Sequence, residues 1–157
     1  MIVIGIDPGT TTTGFGILNR LSRDVYEVLN YGVMETKPKI SQSVKLAEIY
    51  KDLNSLIEKY KPDIFSVEKI FFNKNARTAI SVSQARGICL LAAGLHKLEV
   101  FEYTPLQVKQ TLVGYGRAEK KQVQYMVKQV LKLKDIPKPD DAADALAIAI
   151  CACMEIK

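Results

Sequence analysis

Four carboxylates stand where acidic groups can do chemistry. Asp7 follows the apolar run IVIGI and Glu68 follows IFSV, so both fall at the C-terminal ends of expected buried strands. Asp141 and Asp144 are three positions apart and share one face of an expected helix. Strand ends and a helix face are rigid mounting points. Clustered carboxylate oxygens suit Mg²⁺ or Mn²⁺, with water and substrate phosphate completing the shell. Two such ions ~3.5–4 Å apart activate water and neutralise the leaving oxygen of a phosphodiester, so the hydrolysis needs no histidine. That suits a chain whose one histidine, His96, sits in LHKLEV at an expected helix end, far from any nucleophile; a surface or capping role is its natural reading. Each acid also has a plainer reading. Asp7 before Pro8 and Gly9 could be a turn residue. Glu68 could be a solvated edge charge, and Asp141 a helix N-cap with Asp140 as its rival. Asp144 runs into an almost wholly apolar stretch and is the hardest to dismiss.

Basic and aromatic residues accompany the acids. The segment KIFFNKNAR carries Phe71, Phe72 and Lys74 among polar neighbours, the make-up of an exposed loop whose rings can stack on bases. Lys109 and Lys120 are candidates for holding phosphate. With 22 Lys+Arg against 17 Asp+Glu, the net charge is +5, which favours a polyanionic partner. Three cysteines, Cys89, Cys151 and Cys153, cannot all pair and form no CxxC, so free thiols in a reducing compartment are expected. A zinc site would need more ligands than these.

The elements that must position these groups follow from periodicity. The 157 residues suit one domain, residues 1–157, with no repeat or linker. Strands are expected at Ile2–Ile6, Gly14–Leu18 and Val25–Thr36, joined as an antiparallel meander, then at Ile64–Val67 and Val100–Tyr103. Helices are expected at Ser43–Tyr60, stopped by Pro62, at Ala79–Lys97, from Pro105 onward, at Glu119–Leu133 and at Asp141–Glu155. The result is an α/β fold, a mixed sheet covered by helices. Gly87 and Gly94 mark places where another helix could approach closely, within the chain or across a dimer. The longest uninterrupted apolar run, Ala145–Met154, is short of the roughly 17–25 residues that cross a bilayer, so no membrane partner is expected. The start, MIVIGIDPG, does not read as a secretory leader, which makes a cytoplasmic location the expectation.

Four segments, IGIDPGTTTTGFGIL, SVEKIFFNKNARTAISVSQARG, FEYTPLQVKQTLVGYGRAEKKQVQYMV and PDDAADALAIAI, run collinearly from near residue 2 to near residue 153. Together they resemble the RuvC family of Holliday-junction endonucleases, the stretch from VKQ through AEKKQV to DAADALA most specifically. The resemblance implies a ribonuclease H-like fold and a homodimer that binds four-way DNA junctions. It implies symmetric metal-dependent nicking of two strands of like polarity, with Mg²⁺ (or Mn²⁺) at two ions per site, and leaves room for a branch-migration motor complex as partner. It places catalysis and metal binding on Asp7, Glu68, Asp141 and Asp144. Junction contact falls on Phe71, and phosphate contact on Lys109 and Lys120. Phe72 doubles the ring and leaves open which one stacks; Asp140 leaves open which acid caps the last helix. Alternatives are a compact nuclease acting on ribosomal RNA precursors and a non-catalytic junction-binding protein. DPGTTTTG also resembles the phosphate hairpin of sugar kinases and actin-like ATPases, but 157 residues leave no room for their second lobe.

Overall fold

In a computed structural model, residues 1–69 and 76–156 are described. Strands β1 (Ile2–Asp7), β2 (Thr12–Ser22) and β3 (Val25–Glu35) form the expected meander, followed by α1 (Gln42–Tyr60), β4 (Ile64–Glu68), α2 (Ala76–Leu95) and β5 (Glu99–Tyr103). Helices α3 (Pro105–Val113), α4 (Lys120–Val130) and α5 (Asp140–Glu155) complete the chain. The sheet order is β3-β2-β1-β4-β5, antiparallel on the meander side and parallel across β1-β4-β5. Strand β2 is longer than its apolar pattern suggested. Asn19 and Arg20 still pair with Glu27 and Tyr26, because ladder hydrogen bonds belong to the backbone and not to the side chains. Helix α4 is shorter than expected: Leu131 caps it and Lys132 turns out with φ 52°.

Side-chain alternation along the strands builds two cores. Ile4, Ile6, Phe15, Ile17, Phe65 and Val67 face α1 and α2. Val3, Leu18, Ile64 and Tyr103 face α3, α4 and α5. By period two, Asp7 and Glu68 belong to this second face, the face that α5 covers. Ala145, Leu146, Ala149 and Ala152 of α5 are wholly buried there.

The approach of α5 to the sheet is set by missing side chains. Gly5 pairs with Gly16 and Asp7 with Gly14, so all four lie on the α5 face. A Cβ on Gly5 would stand 2.2 Å from the Ala145 carbonyl oxygen, and one on Gly14 would stand 2.0 Å from that of Asp141. Neither position can carry a side chain while the helix rests where it does. Ser66, beside Gly5 on β4, is fully buried; its hydroxyl lies 3.3 Å from the Ile4 carbonyl and 3.2 Å from that of Ile148, joining sheet to helix.

Counting uninterrupted apolar runs overlooked one helix. Arg77–Leu95 is long and apolar enough to cross a membrane by length and composition, with a mean hydropathy of 1.3. Arg86 interrupts the run without making the helix polar. Its inner residues Ala85, Cys89, Ala92 and Ala93 are packed in the core, whereas Ile80, Leu91 and Leu95 are exposed.

Gly5→Ala should therefore destabilise the fold by about 1–3 kcal/mol, the usual cost of overpacking. Urea unfolding checks this: the midpoint should fall at unchanged slope.

Candidate active site

Asp7 ends β1, Glu68 ends β4, and Asp141 and Asp144 occupy the first turns of α5. The three aspartates, all half-buried, place ligand oxygens within 4.8 Å of one another. Glu68 joins them through a hydrogen bond between its carboxyl and that of Asp7. The four acids expected to converge do converge, on the edge of one sheet face beneath one helix end.

The competing roles for the acids also resolve. Neither Asp140 nor Asp141 caps α5; Pro139 holds that position, and both aspartates lie in the first turn, where negative charge suits the helix dipole. Asp140 is not among the three converging aspartates. It accepts from Gln124 Nε2 at 3.1 Å and its side chain is 66% exposed, so it does not stand in for Asp141.

So much negative charge in a half-buried place must be offset. Asp7 is pushed up to about 9, first by burial, then by the charges of Glu68, Asp144 and Asp141 and by its hydrogen bond to Glu68. Glu68 is raised by burial and by Asp144, while the Asp7 hydrogen bond and the Lys120 charge pull the other way. Burial and mutual repulsion thus favour a proton held within the Asp7–Glu68 pair. Asp144 is raised by burial, against the opposing pull of Lys120. Lys120 Nζ donates to Asp144 Oδ2 at 2.9 Å and lies 3.5 Å from Asp140 Oδ2. Burial alone would lower this ammonium, but Asp144 and Asp140 outweigh it and raise it. A proton and an ammonium therefore offset only part of the charge of a cluster whose donors are all carboxylate oxygens, the donor set of a hard divalent cation.

A groove of ≈ 210 Å³ opens beside the acids, lined by Glu68, Lys109, Lys120 and Asp144 over an apolar floor that includes Val108 and Ile148. Lys109 comes from α3, which begins with a Thr104–Gln107 capping box, and Lys120 from the first turn of α4. The sequence placed both lysines with phosphate; the structure places Lys120 first with the acids. Phe71, Phe72 and Lys74 lie outside the described residues. His96 contacts Asn54 Oδ1 at 2.7 Å, between the α1 and α2 ends and away from the acids. Cys89, Cys151 and Cys153 are free and buried. Burial pushes their thiols up to about 12, 12 and 11, which leaves them inert. Gly5 and Gly14 were not singled out from the sequence, although glycine inside a strand signals close approach of another backbone.

The raised Asp7 carboxyl has a sign that can be checked. A carboxyl that holds its proton more tightly when folded makes stability fall as pH rises from its ordinary 3.8 toward about 9. In chelator, the thermal midpoint should fall with pH across that window, and Asp7→Asn should remove most of the slope. Excess Mg²⁺ should flatten it, because ligation requires the ionised form.

The sequence profile of the family described as "Crossover junction endodeoxyribonuclease RuvC" matches residues 3–152. A crossover junction endodeoxyribonuclease RuvC from Alkaliphilus metalliredigens is 52% identical over 151 residues, covering 96% of this chain and 92% of the relative. The Thermus thermophilus RuvC structure superposes with a TM-score of 0.91 at 35% identity, covering 98% of this chain and 94% of that one. The structure of T. thermophilus RuvC in complex with Holliday junction substrate gives 0.89 at 32% identity, with the same coverage. The meander, the parallel strands and the acid cluster beneath the α5 end are thus parts of a ribonuclease H-like fold, and the chain belongs to the RuvC family of crossover junction endodeoxyribonucleases.

Proposed function

We propose that this chain resolves four-way DNA junctions by nicking two strands of like polarity, with Asp7, Glu68, Asp141 and Asp144 holding divalent ions, Mg²⁺ or Mn²⁺, two per site. The convergence of Asp7, Asp141 and Asp144 within 4.8 Å, at the mouth of a groove carrying two lysines, is the observation that supports it best. Bound divalent ions supply water activation and neutralisation of the leaving oxygen. The protein's own groups do the rest. Asp7 and Glu68, which share a hydrogen bond, would have to be ionised to act as ligands. Lys120, bonded to Asp144, would be freed if that carboxylate held a cation. Its ammonium then stands beside Lys109 in the groove, where both can hold phosphate. A ribosomal RNA precursor nuclease or a purely junction-binding protein has no observation in its favour.

Asp7→Asn, Glu68→Gln and Asp144→Asn should each lower single-turnover cleavage by about 10²–10³-fold, a loss of several kcal/mol of charge stabilisation. Junction affinity without divalent ions should change little. The assay offers a synthetic four-way junction, linear duplex and ATP with Mg²⁺; preferential paired nicking of the junction is expected. Near-normal nicking by Asp7→Asn would refute the assignment.

Symmetric paired nicks need two sites related by a two-fold axis, and one chain carries one site. The outer face of α2 suits a second copy. Ile80, Leu91 and Leu95 are 60%, 51% and 61% exposed. A Cβ on Gly87 or Gly94 would meet nothing within 4 Å, so the ridge between the large side chains is low and open. Leu91→Glu should shift sedimentation from dimer to monomer at micromolar concentration and convert paired nicks into single ones. The three buried free thiols support a reducing, cytoplasmic location.

A further inference from the structure

Glu68 is held from behind by a residue that the acid cluster does not contain. Arg86, on α2, lies on the opposite side of the sheet from α5. Its Nε donates to the main-chain carbonyl of Glu68 at 2.9 Å, and its terminal nitrogen pairs with the Glu102 carboxylate. The Arg86 side chain is only 19% exposed. Glu102 sits on β5, opposite Val67, the residue before Glu68. One planar fork thus spans the last rungs of two parallel strands and fixes them to a helix.

The position of this contact matters. The paired residues of β1 and β4 end at Ile6 and Val67, so the Glu68 carbonyl lies just beyond the last pair. On the other side, Lys69 N donates to the Tyr103 carbonyl at 2.7 Å. The Glu68 carbonyl takes its hydrogen bond from Arg86. Holding that carbonyl fixes the peptide plane after Glu68, and with it the direction in which the Glu68 side chain leaves the strand toward Asp7. Helix α2 is itself rigidly seated, since Ala85 and Cys89, on either side of Arg86, are fully buried. Glu102 restrains the guanidinium, which would otherwise rotate about its long stem.

We propose that Arg86 is a positioning residue for Glu68, with Glu102 as its anchor, and that the pair presets one wall of the metal site. The proposal rests on Glu68 and Asp7 being ligands. Lysine cannot replace Arg86, because one compact ammonium lacks the planar fork that reaches a carbonyl and a carboxylate together.

The test compares Arg86→Met, Arg86→Lys and Glu102→Gln with wild type and with Asp7→Asn. Mn²⁺ binding to the DNA-free protein is read from the spin-resonance signal of free Mn²⁺. Thermal midpoint and junction affinity in chelator are measured beside it. Arg86→Met should bind Mn²⁺ about tenfold more weakly, as expected when a group behind a ligand is lost. Its cleavage should recover at high Mn²⁺, and junction affinity in chelator should be unchanged. Arg86→Lys should resemble Arg86→Met. Glu102→Gln, which still accepts a hydrogen bond, should weaken Mn²⁺ binding by about threefold. If Arg86→Met unfolds at the assay temperature, Glu102→Gln decides: wild-type Mn²⁺ binding in that variant overturns the proposal. Loss of Mn²⁺ binding in Asp7→Asn with wild-type binding in all three other variants also overturns it, leaving the acid cluster intact. Wild-type Mn²⁺ binding in Asp7→Asn removes the acid-cluster reading itself, and the role of Arg86 falls with it.

Discussion

Backbone contact between α5 and the β1–β2 hairpin is the constraint from which the site follows. Gly14 pairs with Asp7 in the ladder, and its missing side chain leaves room for the Asp141 carbonyl directly above. The distance between the first strand's acid and the last helix's acids is therefore set by peptide groups, not by flexible side chains. Gly5 repeats the arrangement two residues back beneath Ala145, and the alanines of α5 keep the helix low along its length. A bulkier interface could bury as much apolar area. It would also lift Asp141 and Asp144 away from Asp7, and the common position among the three would be lost.

Close packing creates an electrostatic demand that the protein alone meets only in part. Burial raises Asp7, Glu68 and Asp144 together, and each ionised neighbour raises the next. A proton shared by Asp7 and Glu68 and the Lys120 ammonium at Asp144 supply two positive charges from within. A proton exchanges with solvent, and Lys120 is a long, partly exposed side chain that lines the adjoining groove. The cluster is accordingly a group of carboxylate oxygens that could hold a metal ion.

Much of this was legible in the sequence because period-two and period-3.6 patterns are written in side chains. IVIGI and IFSV fixed the acids at strand ends, and the DDAAD spacing put Asp141 and Asp144 on one helix face. What could not be read was how elements far apart in the chain approach one another. Nothing local to Gly5 or Gly14 states that α5, more than a hundred residues later, will rest on them. Whether Asp140 or Asp141 enters the cluster depends on the rotation of α5 about its axis, which the packing of Leu146 and Ala149 decides. That Lys120 also pairs with Asp144 could not be read, because the two lie 24 residues apart, beyond any helical spacing. The span of α2 escaped a count of apolar runs because Thr78, Ser81, Ser83, Gln84 and Arg86 break the run while its mean hydropathy stays high.

That arginine shows why α2 has the composition it has. The helix serves three surfaces at once. Ala85, Cys89, Ala92 and Ala93 are small enough to lie against α1 and the sheet. Ile80, Leu91 and Leu95 face outward. Arg86, between these sets, reaches across the sheet edge to Glu68 and Glu102. A polar outer face would make the helix an ordinary solvated cover, and an apolar residue at position 86 would leave the Glu68 carbonyl without its donor. The arginine therefore ties the outward apolar surface and the acid cluster to the same rigid body. A second copy docking on α2 would be registered against the metal site through one helix, with no intervening loop to blur the distance.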